Sequence, residues 1–87
     1  MSLSRSALEA TVLAFLAPRQ QTQGLPDLSL ASPVFESGLL DSLGLIDLVA
    51  AVEGAHGVEV DMLVFDAMAV ESVHHLVEQL FQACTVG

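Results

Sequence analysis

The sequence predicts an all-α fold: an antiparallel four-helix bundle of three long helices and one short one, with a long first loop. Three observations carry this. Apolar residues recur at helical spacing in three separate stretches. The first two stretches are joined by a Pro-, Gly- and Gln-punctuated segment with no sustained period. The chain has 87 residues, 53% of them hydrophobic and only 15% charged, which suits one small core and a single domain over 1–87. Aromatic residues are few, so that core must be mainly aliphatic.

The first helix is expected from about Ser6 to Ala17. Ser6-Ala7-Leu8-Glu9 has the form of a capping box, Leu8, Val12, Phe15 and Leu16 make the apolar stripe, and Pro18 sets the stop. Residues 1–5 read as a loose tail. From Pro18 to Leu40 a long loop follows, with Leu25, Leu28, Leu30, Val34 and Phe35 as its expected anchors.

The second helix, about Ser42 to Ala55, has two faces when turned at roughly 100° per residue. Leu45, Leu48, Val49, Val52 and His56 form a core stripe. Leu43, Ile46 and Ala50 lie on another side, with Asp47 and Glu53 at its margin. That strip suits partner docking, and it would equally suit a surface covered by the long loop.

After Gly57, Val58 and Val60 make a short extended link. Asp61 can cap a brief third helix near Met62 to Met68, with Val64, Phe65 and Met68 packing inward. Met62, Leu63 and Met68 could also border a pocket for an acyl or aminoacyl group. The last helix is capped by Ser72 and carries Val73, Leu76, Val77, Leu80 and Phe81 on one stripe. Residues 84–87 are expected to fray.

Ser42 is the candidate functional residue. With Asp41 as N-cap, Ser42 takes the first helical position and its hydroxyl points outward. A helix start has unpaired N–H groups and a partial positive charge, so a phosphate attached there is tolerated or favoured. The run Gly38-Leu39-Leu40-Asp41-Ser42-Leu43, followed by Leu45-Ile46-Asp47-Leu48-Val49, resembles the 4'-phosphopantetheine attachment motif of acyl carrier proteins and peptidyl carrier domains. The resemblance extends from about Phe35 to Leu80. Within that family the Gly-Leu-Leu-Asp-Ser run and the Phe65-Asp66 pair are most similar to the D-alanyl carriers.

The resemblance implies an acyl-carrier-protein-like fold and a carrier, not an enzyme. A phosphopantetheinyl transferase would move the group from coenzyme A to Ser42, with Asp41 assisting. The carrier would then hold acyl or aminoacyl intermediates as thioesters. An activating ligase and downstream acyl-transfer enzymes with basic or apolar docking faces would be its partners, meeting Leu43, Ile46, Asp47, Ala50 and Glu53. Gly44 and Gly54 stand where such carriers often have charged or helix-favouring residues. The rival reading is an unmodified helical interaction module that uses the apolar face of the second helix.

Two basic residues, Arg5 and Arg19, against eleven acids give a formal net charge of -9. Such a surface repels nucleic-acid phosphates and favours basic partner faces. No apolar run is long enough to span a membrane, and a cytoplasmic monomer is the simplest expectation. Cys84 is the only cysteine, which precludes an intramolecular disulfide; with Thr85, Val86 and Gly87 it fits a prenylation box poorly. His56 reads as a structural residue with one satisfied hydrogen bond. His74 and His75 are adjacent, not i, i+4, so no metal site is expected. A hydrolase triad through Ser42 lacks the Gly-x-Ser-x-Gly elbow.

Overall fold

Among the described residues, three α-helices pack on one mainly aliphatic core. The computed structural model describes residues 4–22, 24 and 29–86. Helix α1 spans Arg5–Thr22, α2 Ser42–His56 and α3 Val73–Ala83; a two-stranded antiparallel ribbon pairs β1, Val58–Val60, with β2, Cys84–Val86. The short third helix of the expected bundle is a turn at 62–64 followed by one 3-10 turn, Ala67–Ala69. Each helix contributes a buried apolar stripe: Leu8, Val12 and Leu16; Leu45, Leu48 and Val52; Val73, Leu76, Val77 and Leu80.

The first helix starts earlier and ends later than its sequence signals. Ser4, not Ser6, is the cap: its Oγ accepts from the Ala7 N–H at 3.1 Å. Arg5 is therefore helical, not part of a tail, and it pairs with Glu78 at 3.1 Å while lying over the Phe81 ring. Residues 1–3 lie outside the described residues. Pro18 is inside α1 and does not stop it. Proline lacks the N–H that would reach back one turn, but Arg19 and Thr22 after it make other contacts. Thr22 Oγ1 donates to the Pro18 carbonyl at 2.8 Å, and the Arg19 guanidinium lies 5.2 Å from the centroid of the Phe15 ring, both within the last turns. A cation there also favours the carbonyl end of the helix.

The loop that follows is tied to the start of α3 by backbone hydrogen bonds. Val34 N–H donates to Glu71, Val73 N–H to Ser32 and His74 N–H to Leu30. Val34 is buried and Leu30 and Phe35 are partly buried against the core. Leu25 and Leu28, the other expected anchors, lie outside the described residues. Leu39 and Leu40 are anchors that periodicity did not single out, and both are buried.

The α2 helix ends at Gly57, whose N–H donates to Glu53. His56 on its last turn is within 2.7 Å of Thr11 Oγ1 through Nε2, the single satisfied bond expected of a structural histidine. The same hydroxyl is within 3.1 Å of the Ala7 carbonyl. Residues 84–86, expected at a frayed end, form β2: Val60 pairs with Cys84, Glu59 with Thr85 and Val58 with Val86. Gly87 lies outside the described residues. The ribbon is locked to α2 by Glu53, whose Oε2 accepts from the Val60 N–H at 3.0 Å.

Asp61 caps the following turn, as expected, accepting from the Leu63 N–H at 2.9 Å. Only Phe65 of the three expected inward residues is buried there; Val64 and Met68 are exposed. The segment is too short to complete an α-helical face. It is fixed by Phe65, by Asp66 as cap of the 3-10 turn, and by Gln79 of α3, whose Oε1 accepts from the Asp66 N–H at 3.1 Å.

Cys84 sits half-buried on β2, and burial first, then the nearby Glu53 carboxylate, push its thiol above the ordinary range. Less thiolate is present at a given pH, so alkylation by iodoacetamide at pH 8 is expected to be severalfold slower than for the urea-unfolded chain. Glu53→Gln keeps an acceptor for the Val60 N–H but removes the charge, and it should raise the rate in the folded protein.

Candidate functional site

The site is built where the loop enters α2. Gly38 adopts a positive φ of 80°, which a glycine reaches without strain, and its N–H donates to Phe35 at 3.1 Å. The turn sends Leu39 and Leu40 into the core, and Leu40 N–H donates back to the Val34 carbonyl at 3.1 Å. With both leucines fixed, Asp41 can only be the residue that emerges. It is extended, at φ -114° and ψ -174°, and its Oδ1 accepts from the Gly44 N–H at 2.6 Å. Ser42 is then the first helical residue and is exposed. Its hydroxyl has no hydrogen-bond partner among the described residues.

Gly44 is closely surrounded by side chains. A Cβ there would stand 2.9 Å from Arg19 Nη1 and 3.0 Å from both Asp41 Oδ1 and Leu40 Cδ1. At Gly54 on the same helix a Cβ would meet nothing within 4 Å. The two glycines should respond oppositely to alanine. Gly54→Ala is expected to add about 0.5–1 kcal/mol, and Gly44→Ala to lose about 1–2 kcal/mol by disturbing the cap and overfilling the junction. Thermal melting of both variants checks the sign.

Beside Ser42 lies an open groove of about 420 Å³ lined by Phe35, Ser42, Leu45, Ala67, Met68 and Val70. Of the three residues suggested by sequence to border a pocket, Met68 lines this groove; Met62 and Leu63 do not. The groove wall formed by Phe35, Ala67 and Val70 was not predicted, because it depends on where the first loop and the 3-10 turn meet.

On the other side of Ser42, Leu43 is 73% exposed and Ile46 62%, and Asp47 and Ala50 are exposed with them. The described residues of the long loop leave this strip exposed. Glu53 is only partly exposed and its Oε2 accepts from Val60, so it belongs less to the strip than its helical position suggests. Among the described residues no group of His, Cys, Asp or Glu could hold a metal ion, and no helix is long and apolar enough to cross a membrane.

A small helical domain that presents one unengaged serine at a capped helix start suits covalent attachment of a group. The family model for the phosphopantetheine attachment site matches residues 20–80, and the chain belongs to this family of phosphopantetheine-binding carrier proteins. The cofactor of the family is 4'-phosphopantetheine. Over 47 residues the chain is 38% identical to the D-alanyl carrier protein of Bacillus pumilus (strain SAFR-032), a match covering 54% of this chain and 60% of that relative. The chain thus matches about three-fifths of the length of this curated relative. No solved structure matches it.

Proposed function

We infer that this chain is a carrier modified at Ser42 by 4'-phosphopantetheine, which it receives from coenzyme A through a separate transferase. The observation that carries the reading is Ser42 itself: exposed, unengaged, and held as the first residue of α2 by the Asp41 cap. The surroundings fit the group. The α2 N-terminus favours a phosphate, and the groove lined by Phe35, Leu45, Ala67, Met68 and Val70 leaves room beside the serine. When bound, the group supplies a terminal thiol on which acyl or aminoacyl cargo is carried as a thioester.

This chain's own residues present and orient; partner enzymes do the chemistry. Asp41 uses Oδ1 for the cap and keeps Oδ2 to assist the transferase. Leu43, Ile46, Asp47 and Ala50 form the docking strip, with Glu53 at its far end. The acidic surface, at a formal net charge of -9, favours partners with basic faces, such as an activating ligase and acyl-transfer enzymes. The name of the relative makes D-alanine the first cargo to test. We place the carrier in the cytoplasm as a monomer with an acyl-carrier-like arrangement of helices.

The test is intact-protein mass spectrometry after incubation with coenzyme A, magnesium and a broad-specificity phosphopantetheinyl transferase. One phosphopantetheinyl group gained is the expected result. No gain with several transferases, on folded protein, would leave an unmodified interaction module that binds through the same strip.

A further inference from the structure

The chain has only two basic side chains, and one of them, Arg19, stands at the edge of the exposed strip of α2. It comes from the last turn of α1, lies over Phe15 at 5.2 Å, and reaches across to the first turn of α2. There its Nη1 occupies the space that a side chain on residue 44 would fill, and its Nη2 stands 3.9 Å from Asp47 Oδ2. The Arg19 side chain is 31% exposed and that of Asp47 69% exposed. Asp47 is an exposed acid on this strip, next to Ile46 in the chain and one helical turn from Leu43. A cation therefore stands beside the exposed acid that flanks Leu43, Ile46 and Ala50.

We propose that Arg19 is a specificity-determining residue of the docking strip: an internal counter-charge that competes with a partner's cation for Asp47. The inference rests on the carrier reading, and concerns how the strip tells partners apart. With Arg19 in place, a partner gains little from a basic residue opposite Asp47, and must recognise the strip through Leu43, Ile46 and Ala50. A rim charge of this kind acts on encounter and on salt dependence more than on the chemical step. Gly44 is what admits the guanidinium, which ties the residue missing from the helix to the charge beside it.

A basic-faced phosphopantetheinyl transferase is the probe, with loading of Ser42 followed by mass. Arg19→Gln is expected to lower the KM of the carrier by about 2- to 5-fold at low ionic strength, the size of an exposed ion-pair effect, with kcat unchanged. The difference should shrink at 0.5 M salt. In the Asp47→Asn background the same change should lower KM by less than half as much, because the competed-for acid is gone. Arg19→Lys, which keeps the charge, should behave as the parent, and thermal melting will show that each variant is folded.

An unchanged or raised KM in folded Arg19→Gln overturns the proposal. So does an equal effect with and without Asp47, which would mean that Arg19 acts only through net charge. Absence of any mass gain in the parent and every variant would defeat the carrier reading, and this inference with it.

Discussion

Ser42→Ala is expected to abolish the gain of a phosphopantetheinyl group while leaving stability within about 0.5 kcal/mol of the parent. The two halves of this result have separate causes. Ser42 is exposed and its hydroxyl has no hydrogen-bond partner among the described residues, so removing the oxygen costs the fold nothing that the structure contains. Alanine is also a good helix former at the position it would take. The same oxygen is the only acceptor atom for the group in the proposed reaction, so loading has no alternative route. Asp41 separates positioning from assistance in the same assay. Asp41→Asn keeps an acceptor for the Gly44 N–H, now made at 2.6 Å, so the helix start should survive. Loading should nevertheless slow, because the charge is lost. Asp41→Ala should add a stability loss of about 0.5–2 kcal/mol from the missing cap. Equal loading rates for Asp41→Asn and the parent would confine Asp41 to capping.

How far the site could be read from the chain depends on how local its causes are. Asp41 and Ser42 are set by a cap and a first turn, interactions within three residues, and the sequence signals for them were enough. The last helix was equally readable: Val73, Leu76, Val77 and Leu80 are all buried, as one stripe with a serine cap should be. The first helix was not, because Pro18 reads locally as a breaker whereas α1 runs through it to Thr22, where Arg19 contacts Phe15 and Asp47. Only the second of these contacts lies far along the chain. The ribbon was half-readable. Val58 and Val60 alternate as a strand should, but the partner strand, Cys84–Val86, has no turn or period that marks it. Met68 was expected inside as part of a helix; as part of a single 3-10 turn it is 92% exposed. The groove beside Ser42 was invisible for a related reason: its walls come from three segments that only the fold brings together.

Leu40→Ala is expected to destabilise the protein by about 2–5 kcal/mol, a large share of the roughly 5–10 kcal/mol typical for a domain of this size. Leu40 is one of the largest fully enclosed side chains, and the cavity it leaves would open directly beneath the start of α2. Its Cδ1 lies 3.0 Å from where a Gly44 Cβ would stand, so it also packs under the peptide that Asp41 caps. Loss of that support should loosen the Asp41–Ser42 junction and slow loading even at temperatures where the variant is folded. Leu43, three residues on, is the matched control. It is 73% exposed, so Leu43→Ala should change stability by no more than about 0.5 kcal/mol. Its effect should instead fall on KM for the transferase. Urea unfolding with the initial rate of mass gain resolves both variants. The pair tests whether the leucines before and after Ser42 divide the labour as their burial indicates, one holding the serine in place and the other facing whatever comes to use it. A Leu40→Ala protein as stable as the parent would mean that the junction is fixed by the cap alone.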